Sequence, residues 1–369
     1  MPHRISPPAC RFCCWLLAAG GLLHAGESSA NEALVHQEFL YESAPFPECH
    51  ASTLVETANG LVASWFGGTH EKHPDVSIWV SRQVDGTWSA PLKVADGIQP
   101  DGKQLPCWNP VLFQPPGEPL QLYYKVGPSP GSWWGMLKTS RDSGIHWSDA
   151  SRLPAGMLGP VRNKPTMLKN GRILHGTSDE SEGWVAYMET SRADATDWKR
   201  SAALNRRDEF GAIQPTMLRH GGGRLQALFR TRQSVIAQSW SDDDGATWSS
   251  MTATSLPNPN SGIDAVTMQD GRHVLVYNHT TRDGEFPRGR EMLNVAVSQD
   301  GVLWKAAGTL ERQPGEYSYP AVIQTNDGLV HTTYTYQRKK IKHVVIDPNK
   351  LVLHEFVDGK WPAAANAAP

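Results

Sequence analysis

Six short segments set polar or aromatic residues beside a proline or a small residue, and the residue types suit gripping and acting on a ligand. They are His50 in CHAST, Trp108 with Asn109 in CWNP, Asn163 with Lys164 in RNKP, Gln214 in IQP, Asp264 in IDA, and Tyr317 with Tyr319 in YSYP. Between them lie Glu71 and Asp75 in GGTHEKHPD, Arg230 in RLQALFRT, Asn278 with His279 in YNHTT, and Arg290 in GREMLNV. Two arginines offer planar forks to a carboxylate, and Lys164 adds a further positive charge. A partly desolvated carboxyl at Glu71 would have a raised pKa and could act as a general acid toward a leaving group, whereas Asp75 reads as more structural. The His50 imidazole titrates near working pH and suits acid–base work or substrate hydrogen bonding; His279 and His343 are weaker choices. Trp108, Trp133 and Trp134 could stack on the flat apolar face of a ligand.

These residues converge only if the elements carrying them repeat around an axis. Pro110, Pro165, Pro215, Ala265 and Pro320 are spaced 55, 50, 50 and 55 residues apart. A second landmark runs in phase: SWSDDDGATW, with Ser241, Asp243, Gly245, Thr247 and Trp248, recurs as SRDSGIHW and, one residue shorter, as SQDGVLW. SRQVDGTW and SRADATDW are weaker copies, and Trp88, Trp147, Trp198, Trp248 and Trp304 follow at intervals of 59, 51, 50 and 56. A period of this length with about four short strands per unit predicts an all-β, six-bladed propeller over residues 31–369 as a single domain. The stretch ALVHQEFLY is expected to complete the last blade and close the ring. In each turn the aspartate accepts backbone N–H bonds, the glycine takes a positive φ and the tryptophan packs between blades, so the turn is scaffold. The inner strands would line a central channel whose leading ends form a pocket. A ring of so many polar groups is not a packed core, because apolar residues would be the cheaper filling.

The 369 residues carry a formal net charge of -2, which gives no electrostatic footprint for nucleic acid. Arg4 and Arg11, the apolar run FCCWLLAAGGLL and the small residues after it read as an export signal cleaved after Ala25 or Ala30. That run is too short to span a bilayer, so a secreted or periplasmic protein without a membrane span is expected. Of five cysteines, Cys49 and Cys107 would survive cleavage, either as a disulfide between neighbouring strands or as two buried thiols. The few thiols and the absence of paired-histidine spacing argue against a metal site, and nothing calls for a cofactor.

The serial Asp-box turns resemble those of the sialidase superfamily, in its BNR-repeat branch, over essentially the whole mature chain. The resemblance implies a six-bladed propeller that cleaves terminal sialic acid with retention. It implies an arginine triad for the carboxylate, a tyrosine nucleophile helped by a glutamate, and an acidic acid/base. RLQALFRT places Arg230, and GREMLNVAVSQDG places Arg290, at the second and third triad arginines. YPAVIQTNDG places Tyr319 at the nucleophile, with Tyr317 as competitor, and Glu71 falls near the acid/base. Two positions depart from the pattern. His50 stands where the first triad arginine belongs, and Gln214 stands where the glutamate belongs; Glu209 is close to it in sequence but out of register.

The reading that follows is an exported, monomeric glycoside hydrolase that removes a terminal acidic or acid-linked sugar from an anionic glycan. Two alternatives remain open. One is a lyase on uronic-acid polysaccharide, with arginines neutralising the carboxylate and His50 or Tyr319 removing the α-proton. The other is a glycan-binding propeller without catalysis.

Overall fold

The computed structural model describes residues 1–3, 32–206 and 208–367. The expected export segment lies outside the described residues, apart from its first three positions. The described chain folds into six antiparallel sheets of four or five strands around one axis. In the first five blades the strand order follows the sequence. Their inner strands are Glu48–Thr57 in blade I, Cys107–Phe113 in II, Thr166–Met167 in III, Ala212–Arg219 in IV and Asp264–Thr267 in V. Blade VI takes Tyr317–Gln324, Val330–Tyr336 and Lys340–Ile346, and its outer strand is Leu34–Phe39 from the other end of the chain. Leu34 faces Ile346 and Phe39 faces Lys342, so the ring closes as the stretch ALVHQEFLY implied.

The Asp-box turns do the local work expected of them. The Ser241 hydroxyl donates to Asp243 Oδ1 at 2.8 Å, Thr247 N donates to the same oxygen at 2.8 Å, and Gly245 N donates to Ser241 Oγ at 2.8 Å. The same pattern recurs at Ser140–Asp142–Gly144 and Ser298–Asp300–Gly301. Gly144, Gly245 and Gly301 all take φ between +72° and +87°, a conformation costly for residues with a Cβ. Trp147, Trp248 and Trp304 pack into the apolar layers between blades I and II, III and IV, and IV and V respectively. These turns join third to fourth strands, at the end of the barrel away from the leading ends of the inner strands.

Cys49 and Cys107 are both buried and free, which decides between the two readings of the pair. Cys49 faces the layer of Tyr41, Phe46 and Trp65, where its sulfur accepts the Tyr41 hydroxyl at 3.1 Å. Cys107 faces the next layer, with Ala51 and Phe66. The two thiols thus point into different inter-blade layers, and burial pushes Cys49 up to about 12 and Cys107 higher still. Among the described residues, no helix is long and apolar enough to cross a membrane.

Candidate active site

The pocket is built by one backbone irregularity repeated around the axis. Counting from the serine that opens each Asp-box turn, Ser140 faces Leu120, Ser191 Ile173, Ser241 Leu225 and Ser298 His273. Three residues beyond, the inner-strand partners are Val111, Thr216 and Asp264, with Thr53 and Ala321 at the same level in blades I and VI; in blade III the register of Thr166 and Met167, carried two residues ahead of the strand, puts Lys164 at that level. Two residues ahead of that level the ladder is broken by a bulge in blades I, II, IV and VI. There Ala51, Asn109, Arg162, Gln214 and Tyr319 adopt φ of +56°, +39°, +85°, +55° and +54°, and Gly262 occupies the sixth place. Positive φ at bulky residues is strained, and repeated bulges of this kind re-aim side chains.

This geometry corrects the register in two blades. Pro110, Pro215 and Pro320 directly follow the bulge residue, but Pro165 and Ala265 lie two positions too late. The residues that enter the pocket from blades III and V are therefore Arg162 and Gly262, not Asn163 with Lys164 and Asp264. Lys164 and Asp264 sit deeper and plug the channel. Lys164 Nζ donates to Asp264 Oδ2 at 2.8 Å, the Thr216 hydroxyl to Oδ1 at 2.7 Å and Val322 N to Oδ2 at 2.8 Å. One carboxylate thus ties blades III, IV, V and VI, and Lys164 is not free to meet a ligand. Asn163 Nδ2 donates to the Gln214 carbonyl at 2.8 Å, another framework bond.

Tyr319 is the centre of the site. Arg230 Nη1 donates to its hydroxyl oxygen at 2.5 Å and to Gln214 Oε1 at 3.3 Å, while Arg230 Nε donates to Asn260 Oδ1 at 2.7 Å. The guanidinium carbons of Arg162, Arg230 and Arg290 lie 5.1, 5.5 and 5.2 Å from the Tyr319 ring centroid. A Cβ on Gly262 would stand 3.1 Å from both Arg162 Nε and Tyr319 Cδ2, so the bare glycine is what lets these two groups close up. Burial raises the Tyr319 phenol pKa. The charges of Arg230 and Arg290 and the Arg230 hydrogen bond outweigh it, and the phenol lies below the ordinary tyrosine value.

Around the mouth runs a chain of ion pairs. Glu316 accepts Arg290 Nη1 at 2.6 Å and Arg338 Nε at 3.0 Å, and Arg338 also bonds Glu71. These contacts hold Glu316 down at about 2 despite its burial. Arg338 projects from the tip of a hairpin, where Gln337 and Arg338 both have positive φ. Glu71 is about one-third exposed and bonded to this arginine, so it is not the isolated carboxyl that the sequence suggested. Asp75 organises the Glu71 loop: its carboxylate accepts Thr69 N at 3.0 Å and the Thr69 hydroxyl at 2.6 Å. Near the mouth, burial does push up the carboxyl of Glu180, on the blade III loop beside Arg230, Arg232 and Trp184.

His50 is 2% exposed, its ring centroid 4.0 Å from that of Tyr319. Nδ1 pairs with Thr335 Oγ1 at 2.9 Å and Nε2 has no partner in the protein. Burial, reinforced by Arg338, Arg290, Arg162 and Arg230, holds it well below the usual histidine value. It is therefore a neutral imidazole, available for hydrogen bonding, not a group titrating near neutrality. Asn109 is buried at the blade II bulge.

The remaining sequence candidates serve the framework. Trp108 is 2% exposed, donates to the Gly127 carbonyl at 2.8 Å and packs on Trp133, so it presents no open face to a sugar. Trp134 lies in a separate outer groove with Arg152 over its ring. Asn278 ties the Met292 and Tyr317 carbonyls, and the fully buried Tyr317 accepts Gln337 Nε2 at 2.9 Å. His279 bonds Tyr277 and the Gly359 carbonyl and stacks against Phe356, which fastens the C-terminal segment. His343 pairs with His331 and Glu38 beneath the closing strand. Arg162, Arg338 and Glu180 were missed. Arg162 precedes the misplaced landmark, Arg338 stands on a hairpin without a motif, and Glu180 lies in an acidic loop that reads as solvated.

A profile of BNR repeat-like domains matches residues 59–332. No curated protein matches the chain. Among solved structures it is similar to a Dyadobacter fermentans protein of unknown function, at 17% identity and a TM-score of 0.68, covering 85% of this chain and 98% of that one. It is similar to the NanB sialidase of Streptococcus pneumoniae at 14% and 0.66, covering 85% and 71%. It is also similar to the intramolecular trans-sialidase of Ruminococcus gnavus at 14% and 0.65, covering 88% and 99%. Identities this low establish the shared propeller, while the profile covers most of the chain. This chain belongs to the BNR repeat-like family, among the sialidase-like six-bladed propellers.

Proposed function

We propose that this protein is an exported glycoside hydrolase that removes a terminal acidic or acid-linked sugar from an anionic glycan. The observation that carries the reading is the pairing of Tyr319 with Arg230, under a second guanidinium from Arg290, at the leading ends of the inner strands. The arginines receive the carboxylate, with Gln214 and Asn109 offering amides to the sugar hydroxyls. Tyr319 Oη attacks the anomeric carbon as the bond to the leaving oxygen breaks, and Glu71, released from Arg338 by the bound sugar and protonated from solvent, gives that proton to the leaving oxygen. Water then attacks the glycosyl-tyrosine, its proton returns to Glu71, and the phenolate leaves. A tyrosine nucleophile is the known departure from the two-carboxylate scheme of glycosidases. The Gln214 amide cannot take a phenol proton, so the attacking group must already be ionised when the sugar arrives. The export signal in the sequence supports action outside the cytoplasm.

The test is release of monosaccharides from aryl glycosides and a glycan mixture by the mature protein, with sialic acid, uronic acids and rhamnose in the panel. Release that disappears in Glu71→Gln and Tyr319→Phe supports the reading. Glycan binding without turnover would replace it with a binding module. One observation favours a second reading: a neutral His50 with a free Nε2 against Tyr319. That pair suits α-proton removal from a uronate and elimination of the leaving oxygen, and an ultraviolet-absorbing unsaturated product would identify the lyase.

A further inference from the structure

The ion pairs around the pocket leave two cations over. Glu316 and Glu71 are taken by Arg290 and Arg338, and Asp264 by Lys164. Among the described residues, Arg162 and Arg230 have no carboxylate in contact. Arg162 is 2% exposed. Its Nη1 donates to the Ile263 carbonyl at 2.8 Å, its other bonds go to the Pro320 carbonyl and the Asn163 side chain, and Nε has no partner. The nearest carboxylate charge acting on it is Asp264, which is not in contact and is already bonded to Lys164 and Thr216; a buried cation so placed is costly unless a further anion lies close by. The group that touches both arginines is Tyr319: its hydroxyl accepts Arg230, and its ring lies over Arg162 across the bare Cα of Gly262.

We infer that Tyr319 stands as a phenolate in the resting protein, with Arg162 and Arg230 in place of the carboxylate base that Gln214 cannot supply. Arg162 acts as a positioning residue, because it works through the phenol and not on the sugar. The inference rests on Tyr319 being the reacting group of the proposed hydrolase. The other groups facing the phenol are the neutral His50 from blade I, uncharged Gln214 from blade IV, and Arg290 from the blade V loop. Glu71 opposes the ionisation, but its carboxyl is bonded to Arg338. Glu180 faces Arg230 from blade III, and burial favours its uncharged form. The net depression of the Tyr319 phenol agrees with this balance.

The experiment is a pH titration of the ultraviolet tyrosinate band of the mature protein, taken as the difference from Tyr319→Phe. Six of the other tyrosines are pushed up by burial, which keeps the window clear. The expected midpoint lies below the pH at which the protein is assayed for sugar release, and so below the ordinary tyrosine value of about 10. Arg162→Met raises it by about one unit, roughly a tenfold loss of ionisation. Gln214→Glu raises it too, because a carboxylate there draws Arg230 away from the hydroxyl. This second variant removes no buried group, so it carries the test even where Arg162→Met does not fold. A midpoint above the pH of the sugar-release assay in the unmodified protein, or one that Gln214→Glu leaves in place, overturns the inference. A normal midpoint with retained sugar release would leave the hydrolase standing without the phenolate. A low midpoint without release from any glycan would do the opposite.

Discussion

Removing the Asp264 carboxylate tests whether the channel floor is a structural tie and not part of the chemistry. Asp264 holds Lys164 at 2.8 Å, and at an effective dielectric of 20 the gross attraction over that distance is about 6 kcal/mol. Desolvation of both ions consumes much of this, but deleting one partner leaves an uncompensated ammonium, which typically costs about 3–5 kcal/mol. The Lys164 side chain is 22% exposed, so water relieves part of that charge and the lower end applies. Two further donors, Thr216 Oγ1 and Val322 N, also lose their acceptor. For Asp264→Ala we expect a loss of about 3–4 kcal/mol, read in urea unfolding as a shifted midpoint with an unchanged slope. The double variant Asp264→Ala/Lys164→Met should recover about 2 kcal/mol of it, because the stranded charge is gone. A single-variant loss below about 1 kcal/mol, or no recovery in the double variant, would refute the view of Asp264 as an inter-blade tie.

Three other outcomes follow from the same geometry. Asp243→Ala, in the Asp-box at the far end of the barrel, should cost about 1–2 kcal/mol of stability and leave sugar release unchanged; altered turnover would refute its scaffold role. Burial holds His175 at about 3 and His273, His279 and His331 at about 4, all below the ordinary 6.5. Their depressed values mean that stability is full above about 6.5 and falls as acid drives protons onto the unfolded chain, down to about 4. Urea midpoints that stay flat between those limits would contradict this. Glu71→Gln should lower kcat at least ~100-fold, whereas Glu180→Gln should stay within about tenfold; the reverse ranking would move the acid to blade III.

The fold was legible because the Asp-box turn is a local device. Ser241, Asp243 and Gly245 satisfy one another within five residues, so the pattern survives in sequence wherever the turn survives in space. The site was legible where the bulge and its proline stay together, as at Gln214–Pro215 and Tyr319–Pro320. It failed where Pro165 and Ala265 mimic that proline two residues late, since nothing in the spacing alone distinguishes a proline after a bulge from one further along the strand. Arg338 was hidden for another reason. It is delivered to the pocket by a hairpin tip, and its role depends on Glu316 and Glu71, which are far from it in sequence or unmarked by any motif.

The strand Leu34–Phe39 completes blade VI by pairing with Lys340–Ile346. Its clasp makes the first blade-forming segment of the chain wait for the last. While the middle blades can stack as each emerges, the ring cannot be sealed until about three hundred residues have been assembled, a loop closure whose entropy slows the final step. A protein built this way spends its early life as an open arc, with the edge of blade VI unpaired and prone to seek another strand. The Tyr319 pocket shares that fate, because the hairpin carrying Arg338 includes the strand that the clasp secures.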